Sequence, residues 1–192
     1  MASKSFKVSF TLDESDAAYF RRLYRTAKQH SSPEDRPKIL KEVGGLIDRV
    51  RSSKKAPGFV LETILVLEDL IQMLEDEDYA LPQSIAKDAL AALAYFANPE
   101  DLIPDHIPGL GFLDDAIMIK FVEDEFRHEL WAYRKFRKFR EGAELRPWTS
   151  VARQRLPKRL TEFRKELRAK VKARNSQDKA KASQAGNRTA GW

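Results

Sequence analysis

The sequence predicts an all-α fold, a compact helical bundle of about five helices with an ordered loop rich in Pro, Asp and Gly, plus a basic C-terminal helix. Three observations predict it. Apolar residues recur at three- and four-residue spacing in nearly every stretch between proline or glycine clusters. Strand-like alternation is confined to a weak run at Lys7 to Leu12, read as a short extended arm. Finally, 192 residues suffice for one hydrophobic core without disulfide or metal staples.

The elements follow in order. Thr11 or Asp13 caps a first helix to about Gln29, with Ala17, Phe20, Leu23, Tyr24 and Ala27 on its apolar stripe. A second follows Ser32-Pro33 to about Ser52 through Ile39, Leu40, Val43, Leu46, Ile47 and Val50, with Gly44-Gly45 as a weak point or close-packing site. The third starts at Pro57; from Phe59 to Leu74 its apolar residues nearly surround the axis, which predicts packing on several sides. A fourth runs from near Pro82 to Ala97, its alanines permitting close approach by a neighbour. The fifth spans about Phe112 to Arg140 on a core line of Ile119, Val122, Phe126, Leu130 and Tyr133. A sixth, amphipathic and basic, covers roughly 150–173, and the polar remainder reads as disordered. This gives a helical domain over 1–148, a basic helix over 149–174 and a disordered tail over 175–192.

Between the fourth and fifth helices lies NPEDLIPDHIPGLGFLDD, residues 98–115. Pro99, Pro104 and Pro108 each remove a backbone donor and bias the preceding residue towards extended conformations, so no helix runs through. Asn98 suits the end of the fourth helix, and Gly109 and Gly111 supply positions where positive φ costs little. Asp114 and Asp115 fall in the first turn of the fifth helix, where carboxylates complement exposed amides. Leu102, Ile103, Ile107, Leu110 and Phe112 are too apolar for a solvated loop and are expected to pack inward.

The spacing of Pro99, Asp101, Leu102, Ile103, Pro104, Asp105, Pro108, Gly111, Asp114 and Asp115 resembles the signature of the bacterial YkvA family, a domain of unknown function. The resemblance covers about sixty residues, with the signature at 85–121, and implies no activity or cofactor. Some relatives place the motif in or beside membrane segments. Glu100 and His106 stand where the family usually has apolar or aromatic residues, which argues against membrane burial of this copy.

Charge is segregated. The net formal charge is +6 over residues 1–60, −14 over 61–126 and +14 over 127–192. Arg134, Lys135, Arg137, Lys138 and Arg140 interleave with Tyr133, Phe136 and Phe139, and Arg153, Arg155, Lys158, Arg159, Arg164, Lys165 and Arg168 continue the positive charge along the sixth helix. Such a surface neutralises phosphates of RNA, the ribosome or an anionic membrane. The bland alternative is a solvated helix face, with Phe136 and Phe139 merely extending the core stripe. Glu75-Asp76-Glu77-Asp78 closes the third helix, where carboxylates oppose the macrodipole. Either the basic region folds back onto it or the cluster is simply solvated.

Several chemistries are excluded. No cysteine means no disulfide, thiolate zinc site or thiol nucleophile, in agreement with a reducing compartment. MASKSFKVSF has no apolar h-region, and no run reaches about 18 apolar residues, so the expectation is cytoplasmic, peripheral at the inner membrane at most. Glu125-x-x-His128 matches half of a di-iron motif without its second copy, and His30 and His106 make no metal-ligand spacing. The chain has neither a Gly-rich phosphate loop nor a serine elbow.

The leading reading is a non-enzymatic adaptor that binds an anionic partner through its basic C-terminal region, with no catalytic residues and no cofactor. One alternative is an Mg²⁺- or Ca²⁺-dependent enzyme or sensor built on Asp101, Asp105, Asp114 and Asp115. Each of these aspartates also serves as a turn former or helix cap, and that role is preferred. Another is a membrane-peripheral scaffold using Leu102, Ile103, Ile107, Leu110 and Phe112. A protein partner and any oligomeric state are left open.

Overall fold

The computed structural model describes residues 11, 13–30, 32, 35–53, 56–97, 112–145 and 150–189. The chain is all-α: α1 (Glu14–His30), α2 (Arg36–Ser52), α3 (Gly58–Glu75), α4 (Gln83–Leu93) continued by a 3-10 turn (Ala94–Ala97), α5 (Leu113–Glu144) and α6 (Ser150–Thr189). Asp13 supplies the N-cap of α1. Its Oδ1 accepts from the N–H groups of Ser15 and Asp16 at 2.7 and 3.0 Å, while Asp16 Oδ2 accepts from Asp13 N–H at 3.1 Å, a reciprocal capping box. The proposed arm at 7–12 lies outside the described residues except Thr11, which is in no regular element.

The core forms on α3 and α5, which run side by side in the same direction. Early residues of α3 meet early residues of α5 across a groove lined by Phe59, Thr63, Val66, Ala116 and Ile117, while Asp69 and Asp76 reach Arg134 and Arg140 further along. The α4 hairpin between them returns the chain. Its Ala89 and Ala92 are fully buried, as the small residues predict. The α5 stripe of Ile119, Val122, Phe126, Leu130 and Tyr133 is buried and continues through Phe136. Phe139 packs against Phe163 of α6 with ring centroids 4.5 Å apart and the planes tilted by 33°, so these aromatics do extend the core line.

Helix α6 packs antiparallel on α5. Leu160, Leu167 and Val171 are buried, and Leu156 and Phe163 partly so, at the three- and four-residue spacing of one helical face. Near its far end the Arg174 guanidinium lies 3.7 Å from the Trp131 ring centroid. Beyond that, Asp178 pairs with Arg127 and, at 2.6 Å, with His128 Nε2. The helix therefore does not end near residue 173, and the stretch assigned to a disordered tail continues helical to Thr189. Low apolar content marked that stretch as disordered. Its Ala, Lys and Gln residues are good helix formers, and the Asp178 contacts tie it to α5.

Two other expectations change. A Cβ at Gly44 would meet no atom within 4 Å, and at Gly45 only the Arg49 side chain at 3.7 Å, so this pair is not a close-packing site. Helix α3 is buried along Val60, Ile64, Val66, Leu67, Leu70 and Met73, yet it leaves Phe59 and Leu65 each 47% exposed and Leu61 exposed beside them. One side of the helix read as enclosed is open.

Candidate functional site

The sequence set two opposed charge clusters apart, and the fold brings them together at the C-terminal end of α3. Asp76 ends that helix, and its Oδ1 accepts the Tyr79 N–H at 3.0 Å, closing a turn that sends Tyr79 inward and leaves Ala80 at φ 43°. Tyr79 is fully buried, its ring 5.1 Å from Tyr133 and 5.3 Å from Phe136. One function of the acidic run is thus local: Asp76 builds the turn that seats an aromatic residue.

Arginines from three helices converge on this end. Arg36 of α2 donates to the Leu74 carbonyl at 3.0 Å. From α5, Arg134 Nε and Arg137 Nη1 share the Asp69 carboxylate at 2.6 and 3.0 Å, and Arg137 also reaches Gln72 Oε1 at 2.6 Å. Arg140 grips Asp76 through both terminal nitrogens at 2.9 and 2.8 Å and touches Asp78 at 3.3 Å. From α6, Arg164 donates to the Asp78 carbonyl at 2.7 Å, and Arg168 to the carbonyls of Tyr79, at 3.1 Å, and Ala80. Carbonyls at a helix end lack intrahelical donors, and guanidinium forks supply several at once while answering the negative end of the macrodipole.

The electrostatics follow from this packing. Burial opposes ionisation of Asp76, but the Arg140 and Tyr79 N–H bonds outweigh it and hold the carboxyl below its usual range. Glu129 of α5 goes the other way: burial pushes its carboxyl up, against the favourable charge of Arg168. The Tyr133 hydroxyl is pushed up to about 12, chiefly by burial and then by Asp76. A cleft of about 520 Å³ runs over this surface between Glu75–Asp78 and Tyr133, Arg137 and Arg140. Both signs of charge line it, so it has no single-sign field to concentrate an ion.

Of the twelve cations assigned to an anionic partner, Arg134, Arg137, Arg140, Arg164 and Arg168 bond within the fold instead. Arg159 lies over the Phe139 ring at 5.5 Å. Lys135, Lys138, Arg155, Lys158 and Lys165 point to solvent. The side chain of Arg153 lies outside the described residues. Counting charge missed this division, although a signal was present: lysines at 158, 165, 172 and 179 repeat every seven residues, out of phase with the apolar stripe.

At the opposite end of α5, Asp114 and Asp115 are only 4% and 9% exposed in the first turn, and both interact with neighbours in the fold. Phe112 precedes them at φ 67°, a conformation a bulky residue rarely adopts, and its ring is buried in the core, as its apolar character predicts. Asn98, Pro99, Asp101, Pro104, Asp105, Pro108, Gly109 and Gly111, with Leu102, Ile103, Ile107 and Leu110, lie outside the described residues. Among the described residues no three His, Cys, Asp or Glu side chains gather as metal ligands. Glu125 binds Lys28 Nζ at 2.6 Å and His128 binds Asp178, so that pair does not converge on a common point.

Comparison with known proteins addresses the same corner. Residues 89–121 match the family described as "Protein of unknown function (DUF1232)", a span from the middle of α4 into α5. The chain is 43% identical over 72 residues to a Bacillus subtilis (strain 168) protein named "Uncharacterized membrane protein YkvA", covering 34% of this chain and 66% of that protein, just under two thirds of its length. No solved structure matches.

Proposed function

Taking as premise that this chain carries the YkvA-family domain of unknown function, we propose that it is a non-enzymatic helical adaptor that binds an anionic partner through its basic C-terminal region. One observation carries the reading: Arg134, Arg137, Arg140, Arg164 and Arg168 of α5 and α6 are matched to carboxylates and carbonyls of the fold, whereas six lysines of the same two helices face outward. Lys135, Lys138, Lys158, Lys165, Lys172 and Lys179 are exposed and make no ion pair among the described residues. A fold that needed only to offset its acidic cluster has no use for this second set of cations. Lysines are hydrated point charges that contact phosphate without orienting it, which suits a partner recognised by charge.

Fractionation of lysate containing the full chain, with and without nuclease and at low and high salt, tests the proposal. Salt-sensitive cosedimentation with ribosomes, RNA or membranes is expected, and replacing the outward lysines by glutamine abolishes it. Free migration under all conditions overturns the reading.

A second reading, a membrane-peripheral scaffold, is favoured by the open apolar side of α3 at Phe59, Leu61 and Leu65, and by the printed name of the Bacillus relative. No helix among the described residues is long and apolar enough to cross a membrane. Of the apolar residues this reading assigns to lipid, Phe112 is packed in the core, Leu102, Ile103, Ile107 and Leu110 lie outside the described residues, and the exposed apolar residues of α3 offer a further contact. Such attachment resists salt, which separates it from the lysine reading.

A further inference from the structure

The outer face of α6 has a regularity that the adaptor reading does not use. Lys158, Lys165, Lys172 and Lys179 recur every seven residues, and all four are exposed. Seven residues at 100° each fall about 20° short of two turns, so the four side chains stay within a sector of about 60° over an axial length of about 31 Å. This sector lies opposite Leu160, Leu167 and Val171, which fix α6 on α5. The positions between successive lysines are Thr161 and Glu162, Arg168 and Ala169, and Asn175 and Ser176; Arg168 is turned onto the Tyr79 and Ala80 carbonyls, so from Lys165 onward the relief between the lysines is low. No aromatic side chain stands in the stripe to stack on a base, and the one guanidinium at its edge, Arg168, is bonded to the Tyr79 and Ala80 carbonyls.

We infer that this stripe docks α6 lengthwise on the headgroups of an anionic bilayer. The inference rests on the proposed anionic-partner function and names the partner. A straight row of evenly spaced cations on a rigid helix meets a plane at all four points together, whereas the phosphates of a nucleic-acid strand wind away from a straight line. With no apolar side chain in the row, α6 stays at headgroup level, and attachment is electrostatic and reversible. Each lysine near such a surface strengthens binding by about fivefold, so the four together account for a factor of about six hundred.

The test is cosedimentation of the full chain with vesicles of phosphatidylcholine alone or with about one third phosphatidylserine, at low salt and at about 0.5 M salt. Binding is expected only to the anionic vesicles and only at low salt. K158Q/K165Q/K172Q/K179Q, folded as judged by an unchanged circular dichroism melt, should lose it by on the order of several hundredfold. A second variant, K38Q/K41Q/K87Q/K120Q, removes the same charge from exposed lysines elsewhere and should retain most of it. Equal loss in both variants overturns the inference, because net charge and not the stripe then governs binding. Absence of vesicle binding also overturns it. If the stripe variant then loses binding to a structured RNA, the anionic-partner function stands with a different partner; if neither vesicles nor RNA are bound by the wild type, both fail.

Discussion

The inner and outer faces of the basic region carry the same sign of charge and opposite chemistry. On the inner face, Arg134, Arg137, Arg140, Arg164 and Arg168 meet fixed carboxylates and carbonyls, Arg140 through both terminal nitrogens. On the outer face, Lys135, Lys138, Lys158, Lys165, Lys172 and Lys179 stand in water with no ion pair among the described residues. The planar fork of arginine loses little freedom for each bond it makes and is weakly hydrated, so it suits a crowded helix end. Lysine holds its hydration shell and suits a surface that must stay soluble yet attract phosphate. A count of positive charge cannot distinguish these uses. Residue type read against helical phase can.

The largest expected effect breaks the inner face. Asp69 is buried and shared by two arginines, so Asp69→Ala leaves both facing a site without its carboxylate and should cost about 3 kcal/mol in urea unfolding. A loss below about 0.5 kcal/mol, the range of an ordinary surface substitution, would make the inner pairs incidental. Next comes Arg140→Lys, which keeps the charge but replaces two contacts to Asp76 with one, for about 1–2 kcal/mol by the same measurement.

Acid sharpens the comparison through two inward carboxylates. The folded-state values of Asp76 and Asp178 lie below the ordinary value near 4, Asp178 at about 2 because Arg127 and then His128 hold its charge. Their stabilisation is complete above the unfolded value and is lost as pH falls below about 4, for Asp178 down through about 2. Protection factors for hydrogen exchange in the 174–182 segment of α6, taken relative to the intrinsic rate at each pH, should therefore fall over that window in the wild type, while Asp178→Asn has low protection at neutral pH already. The smallest effect on folding belongs to the outer face: K158Q/K165Q/K172Q/K179Q should change stability by no more than about 0.5 kcal/mol, whatever it does to binding.

The helix plan was legible because prolines and glycines punctuate it and each helix carries a complete apolar stripe. The C-terminal length of α6 was not, since composition after Arg174 lacks apolar residues and the holding contact is one aspartate, Asp178, against Arg127 and His128. The acidic run at Glu75–Asp78 was read as a liability at the negative end of a helix, with a returning basic segment as one remedy. That remedy is what α5 and α6 supply, and the sequence withheld only which cations would turn inward. The open side of α3 was hidden because Leu61 and Leu65 look like core on pattern alone; only the placement of its neighbours shows that both stay exposed. Of the signature, the buried Asp114, Asp115 and Phe112 behave as helix-start and core residues, and the remainder of that corner falls outside the described residues.

The division between faces is tested most directly by residue-resolved chemical labelling of the folded full chain, phenylglyoxal for arginine and acetic anhydride for lysine, read by mass spectrometry. Arg140, Arg164 and Arg168 are expected to be protected until the protein unfolds, while Lys158, Lys165, Lys172 and Lys179 react as fast as in the unfolded chain. Equal reactivity of those arginines before and after unfolding would contradict that division.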